Sequence, residues 1–172
     1  MTRLPVATAW VHGAVNSIDA DQGGGLAIVA ETTAAIAAAP DLEQALRTLI
    51  AGMQRLTGAD SGGVRLLNAA DQTAAGCRLL FWRGGDTYEW QELAGESGTN
   101  VDAVVTTGVP QYSADLASLA GDGDALAAAA HYRDGLGSSL IVPLRSQGHV
   151  IGTLHADSHG SAAFRSELLL PL

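Results

Sequence analysis

The chain contains no lysine and a single cysteine, and only 16% of its residues are charged. Each shortage removes a class of function. The 9 basic residues are all arginines, scattered singly against 18 acidic ones, for a formal net charge of −9. Without a basic run there is nothing to release counterions from a phosphate backbone, so a nucleic-acid partner is not expected. One thiol, Cys77, can build neither an intrachain disulfide framework nor a zinc ribbon. No apolar run reaches the roughly 18 residues of a membrane-spanning helix. The alanine-rich segment 26–39 carries Glu31 and two threonines. No cationic region followed by an apolar run marks a secretory signal. A cytoplasmic domain with no membrane partner is the expectation.

What is present suits one packed domain. Apolar residues make up 47% of 172 positions, enough for a full core but short for two domains. Residues 1–25 lack periodicity and end in Gly23-Gly24-Gly25, which reads as an arm or linker. A helix is predicted over 26–38, ended by Pro40. Asp41 then caps a second helix, in which Leu42, Leu46, Leu49, Ile50, Met53 and Leu56 recur on one face until Gly58. Strands are predicted at 63–68, 77–83 and 87–93, the last two joined by Gly84-Gly85-Asp86. A short helix over 101–107, an extended 110–113 and a helix over 125–133 behind Asp122-Gly123-Asp124 follow. Two strands, 138–145 and 149–157, come next, and 167–170 starts a last helix that is expected to be truncated. This order predicts α+β: a mostly antiparallel sheet of about six strands with helices on both faces.

The final strand pair holds the main functional clue. Its strands meet at a tight Gln147-Gly148 turn. Alternation puts Val150, Gly152, Leu154 and Ala156 on one face, and Ile151, Thr153, His155 and Asp157 on the other. On the partner strand Leu140, Val142 and Leu144 form the apolar side, with Ser139, Ile141 and Pro143 opposite. Burying hydroxyls and an imidazole without partners costs about 1–3 kcal/mol each, so they face a ligand, water or one another. Two readings stay open: a pocket lining, or an internal network in which His155 bonds Asp157 or a backbone carbonyl. Among the few rings, Trp82 and Trp90 lie on adjacent strands and Tyr112 and Tyr132 flank the presumptive pocket, where flat side chains commonly wall sites for planar ligands.

Several segments, in this order, resemble a GAF domain, the small-molecule-sensing module of signalling proteins. They are Asp41-Leu42-Glu43-Gln44-Ala45-Leu46 with Leu56-Thr57-Gly58-Ala59-Asp60, then Val105-Thr106-Thr107-Gly108-Val109-Pro110 with Ser113-Ala114-Asp115. Gly137-Ser138-Ser139-Leu140-Ile141-Val142-Pro143-Leu144, Val150-Ile151-Gly152-Thr153-Leu154 and Phe164-Arg165-Ser166-Glu167-Leu168 complete the set. The resemblance implies a single domain over 26–172, with the terminal helices on one sheet face and a pocket of short helices and loops on the other. It implies a noncovalent ligand near Ser139, Thr153, His155, Asp157, Asp115, His131 and the four rings, a homodimer paired through the terminal helices, and an output domain, such as a histidine kinase, in a longer protein; the Ala/Gly/Asp-rich composition points to a bacterial source. Haem would need His131 as its proximal ligand; a histidine near a helix C-terminus also favours the negative end of the dipole. A covalent bilin is not expected, because Cys77 sits on an early strand. A sulfoxide reductase of this fold would need more cysteines, and no nucleophile–base pair has convincing spacing, so no enzyme is expected. The remaining alternative is a ligand-free dimerisation or interaction module.

Overall fold

The computed structural model describes residues 22–68, 77–93, 100–119 and 135–164. Helices α1 (Gln22–Ala37) and α2 (Leu42–Thr57) come first, followed by strands β1 (Ser61–Leu66), β2 (Cys77–Trp82) and β3 (Tyr88–Leu93). Helix α3 (Asn100–Thr107), strand β4 (Gln111–Ser113), helix α4 (Leu116–Leu119) and strands β5 (Ser138–Ser146) and β6 (His149–Ser158) follow. The strands form one open sheet in the order β3-β2-β1-β6-β5-β4, with every described neighbour pair antiparallel. The expected α+β architecture is present. The expected last helix and the helix over 125–133 lie outside the described residues, as does most of the N-terminal arm.

Helix α2 starts and stops where its side chains dictate. The Asp41 carboxylate accepts the Gln44 N–H at 2.8 Å, and Gly58 takes a left-handed φ of 69° while its N–H donates to the Gln54 carbonyl. Its stripe of Leu46, Leu49, Ile50 and Met53 packs on Val64, Leu80, Trp82, Leu140, Leu144, Leu154 and Ala156 of the sheet. This is the core. Helix α1 lies on α2 through Thr32 and Gly52, where a Cβ on Gly52 would collide with the Thr32 side chain. It begins at Gln22, four residues before the predicted start, and takes in Gly23-Gly24-Gly25. Packing can override the low helix propensity of glycine, which local sequence cannot reveal.

The register of the final strand pair carries one irregularity. Leu144 pairs with Gly152 but Arg145 with Val150, which leaves Ile151 as the extra residue of a bulge. Ile151, expected beside Thr153, instead packs against the helix-side cluster. Gly62 lies where β1 comes close to both β6 and α2: a Cβ there would overlap the His155 carbonyl oxygen and the Met53 Cε. Gly62→Ala should therefore lower stability by about 1–3 kcal/mol in urea unfolding, the usual range for overpacking. A loss below about 0.5 kcal/mol would show that this approach relaxes freely.

Candidate functional site

Leu154 and Ala156 belong to the helix-side core, so alternation turns Thr153, His155 and Asp157 to the far face of the sheet. All three are buried there, at 0%, 6% and 1% exposure, with Ser139 at 3%. The Thr153 hydroxyl and His155 Nε2 lie 2.8 Å apart, which closes part of the stripe on itself. Ser139 differs. Its buried hydroxyl has no hydrogen-bond partner among the described residues.

Register extends the stripe across the sheet. Ser113 of β4 faces Ser139 of β5, Ser139 faces Asp157 of β6, and Asp157 faces Ser61 of β1. Four strands thus carry a polar row roughly 14 Å long at the usual strand spacing. The adjacent row is Gln111, Ile141, His155 and Gly63. Over it lies α3, whose Val101 and Val104 bury against Ile141. Both ends of α3 are fastened. The Asn100 Nδ2 donates to the Ser113 hydroxyl at 3.3 Å. At the other end Gly108, left-handed at φ 67°, presents its carbonyl to Arg145 Nη2 at 2.9 Å. An arginine there also meets the negative end of the helix dipole.

A second set of bonds ties the polar row to the helical layer. The Asp60 N–H donates to the Asp157 carbonyl at 2.9 Å, directly across from the row. The Asp60 carboxylate accepts the His159 N–H and the Ser158 hydroxyl, each at 2.9 Å. The backbone N–H of His159 and then the Ser158 hydroxyl hold that carboxyl below its ordinary range. On β5, the Ser138 hydroxyl donates to the Gly160 carbonyl at 2.7 Å. The row therefore stands on a rigid base anchored just past the end of α2. Cys77 opens β2, buried, and desolvation pushes its thiol up, the opposite of an activated thiolate.

The sequence model of the GAF domain family matches residues 39–169, well over half the chain. The chain belongs to the GAF domain family. No curated protein matches the sequence. Among solved structures, the GAF domain of a phosphoenolpyruvate-protein phosphotransferase from Coxiella burnetii is similar at 19% identity. It has a TM-score of 0.56, over 84% of this chain and 83% of that one. Free methionine-R-sulfoxide reductase from Neisseria meningitidis, in complex with its substrate, is 19% identical with a TM-score of 0.59, covering 83% and 77% of the two chains. The chromophore-binding domain of the Stigmatella aurantiaca bacteriophytochrome, as a Thr289His mutant, is 14% identical with a TM-score of 0.62, over 84% of this chain and 55% of its own length. At such identities the likeness is one of fold.

Within this GAF domain the candidate residues separate by face. Ser139, Thr153, His155 and Asp157 come together as expected. The rings do not join them: Trp82, Trp90 and Tyr112 lie on the helix-covered side. Trp82 is part of the core and its Nε1 donates to the Gly85 carbonyl at 2.8 Å. Trp90 Nε1 donates to Glu43 Oε2 of α2 at 3.0 Å, and Tyr112 sits edge-on to Phe164. The physical reason is parity: Trp82 and Trp90 share the face of Leu80, and Tyr112 pairs with Leu140. Asp115 caps α4, accepting the Ala117 N–H at 3.0 Å, and is exposed. His131 and Tyr132 lie outside the described residues. Sequence reasoning missed Ser61 and Ser113; each is a small polar residue in a strand, two or three positions from a core residue, but only register puts them beside Ser139. No group of three or more metal-binding side chains occurs among the described residues.

Two outcomes follow from this geometry. Ser139→Ala removes a buried hydroxyl that no described residue satisfies, so ligand-free protein should keep or gain stability, by up to about 1 kcal/mol, in thermal or urea unfolding. A clear loss would reveal a hidden partner. For Asp60, the folded pKa lies below the 3.8 of a free aspartate, so its contribution is present above that value and lost as pH falls through the folded pKa. The stability advantage of wild type over Asp60→Asn should be constant above ~pH 5 and shrink on acidification. A gap that widened in acid would reverse the assignment.

Proposed function

We propose that this GAF domain is a sensory module of a bacterial signalling protein that binds a small molecule noncovalently on the sheet face under α3. The single observation that carries the reading is the buried Ser139 hydroxyl, without a partner in the polar row of that face. Native proteins rarely leave such a group unsatisfied unless something else completes it. GAF domains are regulatory modules of signalling proteins, and the neighbours named above include one solved with its substrate and one that binds a chromophore.

Ligand occupancy would bias the strand ends at Asp157 and Ser139, hence the Asp60 anchor and the end of α2. The two N-terminal helices then pass the change to a partner copy and to an output domain such as a histidine kinase. A regulatory rather than catalytic role agrees with the only thiol being buried with a raised pKa. No helix among the described residues is long and apolar enough to cross a membrane. The interaction-module reading is favoured by one observation, the Thr153–His155 contact, which satisfies part of the stripe within the protein.

Mass spectrometry of small molecules released from freshly purified protein separates the two. The sensor reading expects one compound in near-stoichiometric amount, lost from Ser139→Leu while the molecular mass by light scattering stays that of a dimer. Release of nothing, from protein reconstituted with cell extract as well, leaves the interaction module; a monomer at all concentrations removes the dimer.

A further inference from the structure

We propose that Arg65 is an oxyanion-binding point of this domain, taking a carboxylate or phosphate group of the bound molecule through Nε and one Nη of its guanidinium. The inference rests on the small-molecule reading above and adds a second contact on the same face of the sheet.

Val64 and Leu66 pack with the helix-side core, so alternation turns Arg65 of β1 to the face that carries Thr153 and His155. There it stands in the row Leu79, Arg65, Thr153 and Pro143. Thr153 is fully buried, but Arg65, Leu79 and Pro143 are half-buried, so a molecule can approach Arg65 from solvent. The other described arginines are all engaged. Arg47, Arg55 and Arg78 pair with Glu43, Glu31 and Glu92. Arg83 lies over the Phe81 ring, 4.8 Å from its centroid, and Arg145 donates to the Gly108 carbonyl. Arg65 takes part in none of the ion pairs among the described residues, and its buried Nε donates to no acceptor. The contact its guanidinium does make is with the Cys77 thiol. Burial pushes that thiol up and keeps it neutral, so it does not balance a cation. A guanidinium binds a carboxylate or phosphate side-on by two parallel N–H bonds, and Nε is one of the two donors. An oxyanion meets both needs of Arg65 at once: it accepts from the open Nε and neutralises the charge. Asp102, in the first turn of α3, acts on the same Cys77 thiol and is the internal rival for Arg65. Ser139 lies four residues along and two strands over, about 16 Å away at the usual spacings, so the two contacts are tested separately.

The test titrates n-butyrate, n-butylammonium, butan-1-ol and inorganic phosphate into the whole chain at constant ionic strength. The Arg65 Nε–H and the Thr153 amide are followed by NMR. Butyrate, phosphate or both should shift these signals saturably, with the alcohol and the ammonium at least about tenfold weaker. Arg65→Gln, its fold checked by its own unfolding curve, should weaken the oxyanion by at least about tenfold, the loss of a charge-assisted pair. Arg65→Lys keeps the charge without the paired donors and should weaken it by at least about fivefold. Asp102→Asn should leave the affinity unchanged or raise it. A response to butyrate alone assigns a carboxylate, and one to phosphate alone assigns a phosphoryl group. The alcohol binding as tightly as butyrate, or full affinity in Arg65→Gln or Arg65→Lys, overturns the inference. So does silence toward both oxyanions, or binding that appears only in Asp102→Asn, which would make Asp102 the native partner. None of these results touches the sensor reading, which stands or falls with the compound released on purification and its dependence on Ser139.

Discussion

Strand β6 pairs along both edges and is buried on both faces from Gly152 to Ser158, and the rest of the domain is arranged around that constraint. A strand so enclosed has no solvent to turn to, so every side chain must be satisfied by protein or by something bound. Leu154 and Ala156 meet the constraint by packing on α2. Thr153 and His155 meet it by bonding each other, and Ser158 by bonding Asp60. Polar residues persist in the middle of such a strand at a cost that apolar ones would avoid. That cost is what the proposed ligand site rests on.

The two faces divide their work by chemistry. The helix side is closed: aromatic rings fill it, and their polar atoms are tied down by Glu43 and the Gly85 carbonyl. Glu43 is also held by Arg47, whose guanidinium lies 4.7 Å from the Tyr88 ring centroid. The bond from Trp90 and then those from Arg47 keep the Glu43 carboxyl below its ordinary range. Among the described residues the far side has no such filling. Its cover is α3, a helix of two turns held by Asn100 at one end and Arg145 at the other. A short helix fastened by two side chains is far easier to displace than α2 seated on the core.

Much of this was legible because it depends on local rules. Asp41, Gly58 and Gly108 end their helices as their chemistry requires, and alternation alone assigned Thr153, His155 and Asp157 to one face. What stayed hidden depends on partners distant in sequence. Trp82 and Trp90 advertise a flat ring but not the face it occupies, which is fixed by pairing with β1 and β3. The bulge at Ile151 reverses the parity of one residue, and no residue type there announces it. Ser61 and Ser113 look unremarkable in sequence and gain their meaning from strands β5 and β6. Helix α1 runs through three glycines and meets α2 where Thr32 contacts Gly52, a contact that propensity knows nothing of.

The solitary thiol has a practical consequence. Cys77 begins β2 and is buried, so the structure around it must open before a reagent can touch the sulfur. Its alkylation rate in native buffer is therefore a clock for the opening of that sheet margin, free of interference from any other cysteine. Because β2 is hydrogen-bonded to β1 and not to β6 in the sheet, the same clock reports whether an event in the polar row loosens the far edge of the sheet or leaves it undisturbed.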